Sequence, residues 1–206
     1  MDSQQYSLSV WTIRLFNLKK RFLASFSINN ISQNCSYITI IHNLVMVKAI
    51  PDGYHSITPY LVVNDAAAAI EFYKRAFGAK ETYRHPTPDG KSIVNAELKI
   101  GDSIVLLSDE FPHGESRSPH SIGGTAVTLH INTEDVDKAF NQAVNAGATI
   151  VMPVMDMFWG DRYGQLKDPF GHIWSIATHN QDLSQEEIQK AGESVLREMM
   201  GSQSTQ

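Results

Sequence analysis

His130 and Glu97 are the side chains whose types and positions suit proton transfer. Residues 126–132 alternate as a strand does, so His130 shares a face with Ala126 and Thr128. Asn95, Glu97 and Lys99 alternate with Ala96, Leu98 and Ile100, which sends the polar set to one face and the apolar set toward a helix. Within reach of one another, this imidazole and carboxylate would form an acid/base pair. Apart, they are a structural hydrogen-bonding His and a solvated strand carboxylate. Gln165 falls opposite Glu97 in a second copy of the pattern, and Tyr60 lies on the face of Thr58. Trp159, Arg162 and Tyr163 stand in a Gly-flanked turn. There an aromatic wall and a guanidinium would bind a planar or anionic molecule, or would simply anchor a hairpin. Trp174 lies off the Ser175 face and is expected in the core, while His113 and His120 fall in a linker expected to be a surface loop or lid.

The elements that must position these groups repeat. Residues 57–63 read as a strand, Asn64 and Asp65 cap a helix, and Ala66, Ile70, Tyr73 and Phe77 recur at spacings of three and four before Gly78 ends it. About 69 residues later, 126–132 read as a strand, residues 133–135 supply a cap and acids, Val136, Phe140 and Ala143 form the stripe, and Gly147 ends the second helix. Three strand-like runs follow each helix, 80–85, 92–100 and 103–108 in the first copy and 149–158, 162–167 and 173–178 in the second. The spacing predicts two βαβββ modules. Residues 109–124, with Pro112, Pro119, Gly114, Gly123 and Gly124, have no period and read as a loop between them. Ser184 followed by Glu187 is a capping box that opens a C-terminal helix over 183–200.

Composition excludes several classes. The chain has 206 residues, 42% hydrophobic and 19% charged, which fits one globular domain plus an appendage. Its net charge of −5 argues against a surface built for nucleic acid. The lone Cys35 allows no internal disulfide and no Cys-based zinc site, so the cytosol is the expected compartment. Residues 1–45 carry Arg14, Lys19, Lys20 and Arg21 against the single acid Asp2, whereas the rest of the chain is strongly acidic. Lys19, Lys20 and Arg21 interrupt the only apolar stretch of any length, which rules out a membrane span there. Two explanations stand for this leader: an organelle-targeting segment, or translated upstream sequence with Met46 as the true start. No nucleophile elbow, phosphate-binding glycine loop or H-E-x-x-H string occurs.

The tandem repeat, together with the strings F-W-G-D-R-Y-G at 158–164 and D-P-F-G-H-I-W at 168–174, resembles the vicinal oxygen chelate superfamily. This is the glyoxalase and bleomycin-resistance fold, and the two strings resemble its PhnB-like branch. The resemblance covers about residues 56–179, within a domain expected over 56–180, module one over 56–109 and module two over 124–180. It implies an α+β fold in which two curved sheets form a cup, and homodimerisation. Enzymes of the superfamily hold a divalent metal in that cup with His, Gln or Glu from the first and last strand of each module. Here those positions fall on Thr58, Val105, Ala126 and Ser175, none of them a strong ligand. No metal or other cofactor is therefore expected. The expected function is binding of a small organic molecule by Tyr60, Glu97, His130, Trp159, Arg162 and Gln165. The alternatives are a lyase or dioxygenase with atypical ligands, or a metal-free acid/base enzyme using Glu97 and His130. Neither nucleic acid nor a membrane is expected as a partner.

Overall fold

The computed structural model describes residues 48–202. The leader and Met46 lie outside the described residues. Contacts divide the chain after Ala49, and the unit that begins at Ile50 carries both modules. Two four-stranded sheets make up its body. Module one runs β1 (Tyr60–Val63), α1 (Ala66–Phe77), β2 (Lys80–Pro86), β3 (Ile93–Ile100) and β4 (Ser103–Asp109), in sheet order β1-β4-β3-β2. The connector carries a short helix, α2 (Pro119–Ile122). Module two repeats the plan as β5 (Thr128–Asn132), α3 (Val136–Ala146), β6 (Thr149–Asp156), β7 (Asp161–Lys167) and β8 (Ile173–His179), in order β5-β8-β7-β6. In both sheets the first strand pairs parallel to the last, and the other pairs are antiparallel. The helix α4 (Gln185–Ser202) closes the described chain.

Local chemistry explains where the helices begin and end. Asp65 caps α1 by accepting from the Ala68 amide at 2.9 Å, and Asp135 caps α3 by accepting from Lys138 at 2.9 Å. Each helix stops at a glycine in the left-handed region, Gly78 at φ 64° and Gly147 at φ 117°, where a side chain would be strained. Ser184 and Glu187 exchange reciprocal bonds at the start of α4, the Ser184 amide reaching Glu187 Oε2 at 2.8 Å. Gly192 of α4 lies under Phe158, and a Cβ there would stand 3.0 Å from the ring.

Cross-strand register sorts the side chains into two faces. In module one the row Tyr60, Leu106, Glu97, Tyr83 lies on the open face, while Leu61, Leu107 and Ala96 are buried against α1. The matching row in module two is His130, Ser175, Gln165, Met152. One register expectation needs correction. Val105 is buried on the helix face, and Leu106 takes the open-face position beside Glu97. The run of Ile104, Val105, Leu106 and Leu107 is apolar throughout, so no alternation in it reveals which residue faces which way. A second correction concerns the 158–164 string. Only residues 158–160 turn, because Arg162, Tyr163 and Gly164 already belong to β7. Gly164 is there for close approach, since a Cβ on it would come within 2.7 Å of the Phe140 ring of α3.

The modules share one core. Trp174 of β8 packs 4.5 Å from the Phe77 ring and 5.4 Å from Tyr73, both on α1. Phe170, in the β7–β8 turn, sits against Phe72 and Tyr73. The buried Asp168 carboxylate accepts from Tyr73 Oη (2.8 Å), Trp174 Nε1 (2.9 Å), and the amides of Phe170 and His172 (2.9 Å each). Four donors balance its desolvation. Burial first, and the Asp168 charge second, raise the Tyr73 phenol well above its usual range. Trp174 is 2% exposed, as its place off the Ser175 face requires.

Candidate functional site

A cavity of about 780 Å³ opens between the modules, a volume suited to a small organic molecule. It lies beside β5, with the last turn of α1 and the middle of α3 beneath it and the β3–β4 turn on its far side. The two modules differ in that turn. In module two the turn runs from Asp168 to His172, seats Phe170 in the core and places His172 Nε2 3.3 Å from the Val62 carbonyl on the outer edge of β1. In module one it is Gly101 and Asp102 alone, with no ring to fill the matching place beside β5. The space left open is the cavity. Phe77, Leu129, Ile131, Trp174 and Ile176 give it an apolar wall, and Thr128, His130, Asn132 and Gln142 give it polar groups.

His130 is held in a chain of side chains. Its Nδ1 lies 2.8 Å from Ser175 Oγ, and its Nε2 lies 3.1 Å from Asn132 Oδ1. The Asn132 oxygen can only accept, so Nε2–H donates to it, while Nδ1 and the Ser175 hydroxyl share the other hydrogen bond. The ring also stacks on Tyr163 at 6.1 Å, and Tyr163 meets Trp159 edge-on at 5.8 Å. Gln165 donates to Tyr163 Oη at 2.6 Å.

Glu97 has different neighbours. Thr82 donates to its Oε1 at 2.5 Å, and the Tyr54 hydroxyl donates to its Oε2. The hydrogen bond to Glu97 raises the Tyr54 phenol above its ordinary value. Among the described residues no hydrogen bond joins Glu97 to His130, and of the six expected binding residues only His130 borders the cavity. Tyr60 is half exposed on the open face of module one, its hydroxyl 3.4 Å from the Val94 carbonyl. Arg162 is committed to its own module. Its Nε and Nη2 donate to Asp137 at 2.7 and 2.9 Å and its Nη1 to Asp156 at 3.2 Å, and these carboxylates push the guanidinium further up. Trp159 donates to Asp161 at 2.8 Å, which anchors the turn. His120 Nε2 lies 2.9 Å from the Pro169 carbonyl and so ties α2 to the β7–β8 turn.

The metal that the superfamily's enzymes use does not fit these residues. Thr58 and Ala126 precede their strands, Val105 faces α1, and Ser175 is engaged by His130. Among the described residues no three His, Cys, Asp or Glu side chains converge to hold an ion. Tyr54, His55, Asn132 and Asp102 are the groups that sequence reasoning missed. Tyr54 and His55 lie upstream of the boundary expected at 56, yet Tyr54 is bonded to β3 and His55 borders the cavity.

Known proteins are similar to this chain. An uncharacterized protein of Mycobacterium bovis is 48% identical over 139 residues, which is 66% of this chain and 91% of that protein. The X-ray structure of a gene product from Arabidopsis thaliana is 29% identical, with a TM-score of 0.50 over 60% of this chain and 98% of that one. The structure of a PhnB protein from Bacillus cereus is 18% identical, with a TM-score of 0.48 over 60% of this chain and 99% of that one. The sequence profile of one superfamily matches residues 53–176, a span that starts just ahead of Tyr54 and ends on Ile176 of β8. With two βαβββ modules, the D-P-F-G turn that docks the second on the first, and that match, the chain belongs to the glyoxalase/bleomycin resistance protein/dioxygenase superfamily.

Proposed function

We propose that the protein binds a small organic molecule in the cavity between its modules, without a divalent metal, and works as a homodimer in the cytoplasm. The observation that carries this reading is the cavity itself. It combines an apolar wall with the polar edge of His130 and Asn132, the usual make-up of a small-molecule site. Support for a second copy comes from apolar side chains left uncovered on one chain away from the cavity wall, among them Ile122 at 62% and Val127 at 65% exposed. Among the described residues no helix is long and apolar enough to cross a membrane. The lyase, dioxygenase and Glu97–His130 acid/base readings have no comparable support, because the donors they need are scattered or already bonded.

Thermal unfolding of purified protein against a set of small organic molecules, with and without EDTA, tests the proposal. Ligands that raise Tm regardless of EDTA are expected, because a molecule bound only by the folded state stabilises it by mass action. One equivalent of Zn, Ni, Mn or Fe, released by EDTA with a fall in Tm and lost in His130→Ala, would overturn the metal-free reading.

A further inference from the structure

Charge is distributed unevenly around the cavity. Among the described residues its wall holds no Lys or Arg; its one carboxylate is Asp102, at the rim, and its two imidazoles are His55 and His130. Arg75, Lys99 and Lys138 lie on α1, β3 and α3, but none of them borders the space. Ala76 and Phe77 bring the C-terminal end of α1 to the cavity, where Lys74 and Arg75 in the last turn, and Gln142 donating to the Arg75 carbonyl at 2.8 Å, offset the helix's partial negative charge. An anion entering here would lose its water and meet no ammonium or guanidinium in return.

Main-chain groups supply further hydrogen bonds. In the parallel pairing of β5 with β8 the Thr133 amide donates to Ala177, so the alternate residues Thr128, His130 and Asn132 turn their main-chain groups to the outer edge. That edge borders the cavity, and among the described residues no strand pairs with it. It can meet the donor and acceptor of an amide or hydroxyl.

We infer that the cavity selects uncharged or cationic molecules with an apolar body and rejects anions of the same shape. This rests on the proposed binding function and adds the chemical class of the ligand. Asp102 favours a cation at the mouth, the apolar wall takes the body, and the edge of β5 fixes its polar group.

Two dyes of one skeleton separate the two claims: neutral N-phenylnaphthylamine and the anionic anilinonaphthalene sulfonate, each titrated by fluorescence into the full chain. The neutral dye should bind at least about tenfold more tightly than the sulfonate. Gln142→Trp, on the exposed side of α3, and Thr128→Trp, on β5, should each fill the cavity and abolish that binding while circular dichroism shows the fold retained. Asp102→Lys should narrow the gap between the dyes. Equal binding of both dyes, abolished by Gln142→Trp, would overturn the charge selection and leave the cavity reading standing. Failure of both dyes to bind, or binding of the neutral dye that survives both Trp variants, would overturn the cavity reading and this inference together.

Discussion

His130 and Trp174, on neighbouring strands of one sheet, have opposite energetic roles. Trp174 is buried among Tyr73 and Phe77 and donates to Asp168, so Trp174→Ala removes a large ring and leaves a buried carboxylate short of a donor. The expected loss is about 3 to 5 kcal/mol in unfolding free energy, measured by urea titration. His130 is exposed on the cavity side, and its removal lets water reach Ser175. His130→Ala should cost less than about 1 kcal/mol by the same titration. A His130→Ala loss as large as that of Trp174→Ala would place the imidazole in the core. The separation was legible in the sequence for one partner, since alternation alone sets Trp174 and Ser175 on opposite faces. It was not legible that Ser175 and Asn132 would take both nitrogens of His130, because neither contact follows from spacing along one strand.

The elements were legible wherever a local signal fixed them. Asp65, Asp135, Gly78, Gly147 and the Ser184–Glu187 box act within one helical turn, and their chemistry appears in the structure as the sequence implied. The connector is the exception. It reads as a loop, yet Ser118 caps the short helix α2, with its N1 proline at 119. Glu110 accepts from the Ser118 amide at 2.9 Å, from Ser121 Oγ at 2.6 Å and from Arg117 at 3.0 Å. A helix of four residues has no periodicity to detect, and Glu110 is eight residues away from the Ser118 amide that it holds. Hydrogen bonds from Ser118 and Ser121, with the Arg117 guanidinium beside them, hold the Glu110 carboxyl down at about 2. A depressed folded-state value means that the contribution is present above the ordinary carboxylate range and is lost as pH falls through that range toward 2. Protection of the Ser118 and Ser121 amides from exchange, taken relative to the intrinsic rate at each pH, should therefore fall between about pH 4.5 and 2, and Glu110→Gln should remove that fall. An unchanged profile in the variant would assign the acid response to another group.

At the scale of the molecule, the repeat revealed the architecture and concealed the site. Two copies of one pattern predict two equivalent modules, but the cavity exists because the modules are not equivalent. The Asp168 to His172 turn fills its place against α1 and β1, whereas Gly101 and Asp102 leave theirs beside β5 open. A difference in turn length is visible in the sequence, while the space it leaves depends on how α1, α3 and β5 meet, which no local signal encodes. The same packing explains why the expected site residues divide. Tyr60 and Glu97 stay on the open face of module one, Trp159, Arg162 and Gln165 are bonded within module two, and His130 alone reaches the gap. Amide chemical-shift mapping by NMR, with neutral N-phenylnaphthylamine added to the protein, tests the cavity most directly. Shifts are expected to concentrate at residues 128–133 on and just after β5, at Ala76 and Phe77, and at Ala139 and Gln142. Shifts confined to the open face around Glu97 and Tyr83, or spread over the exposed apolar side chains, would contradict it.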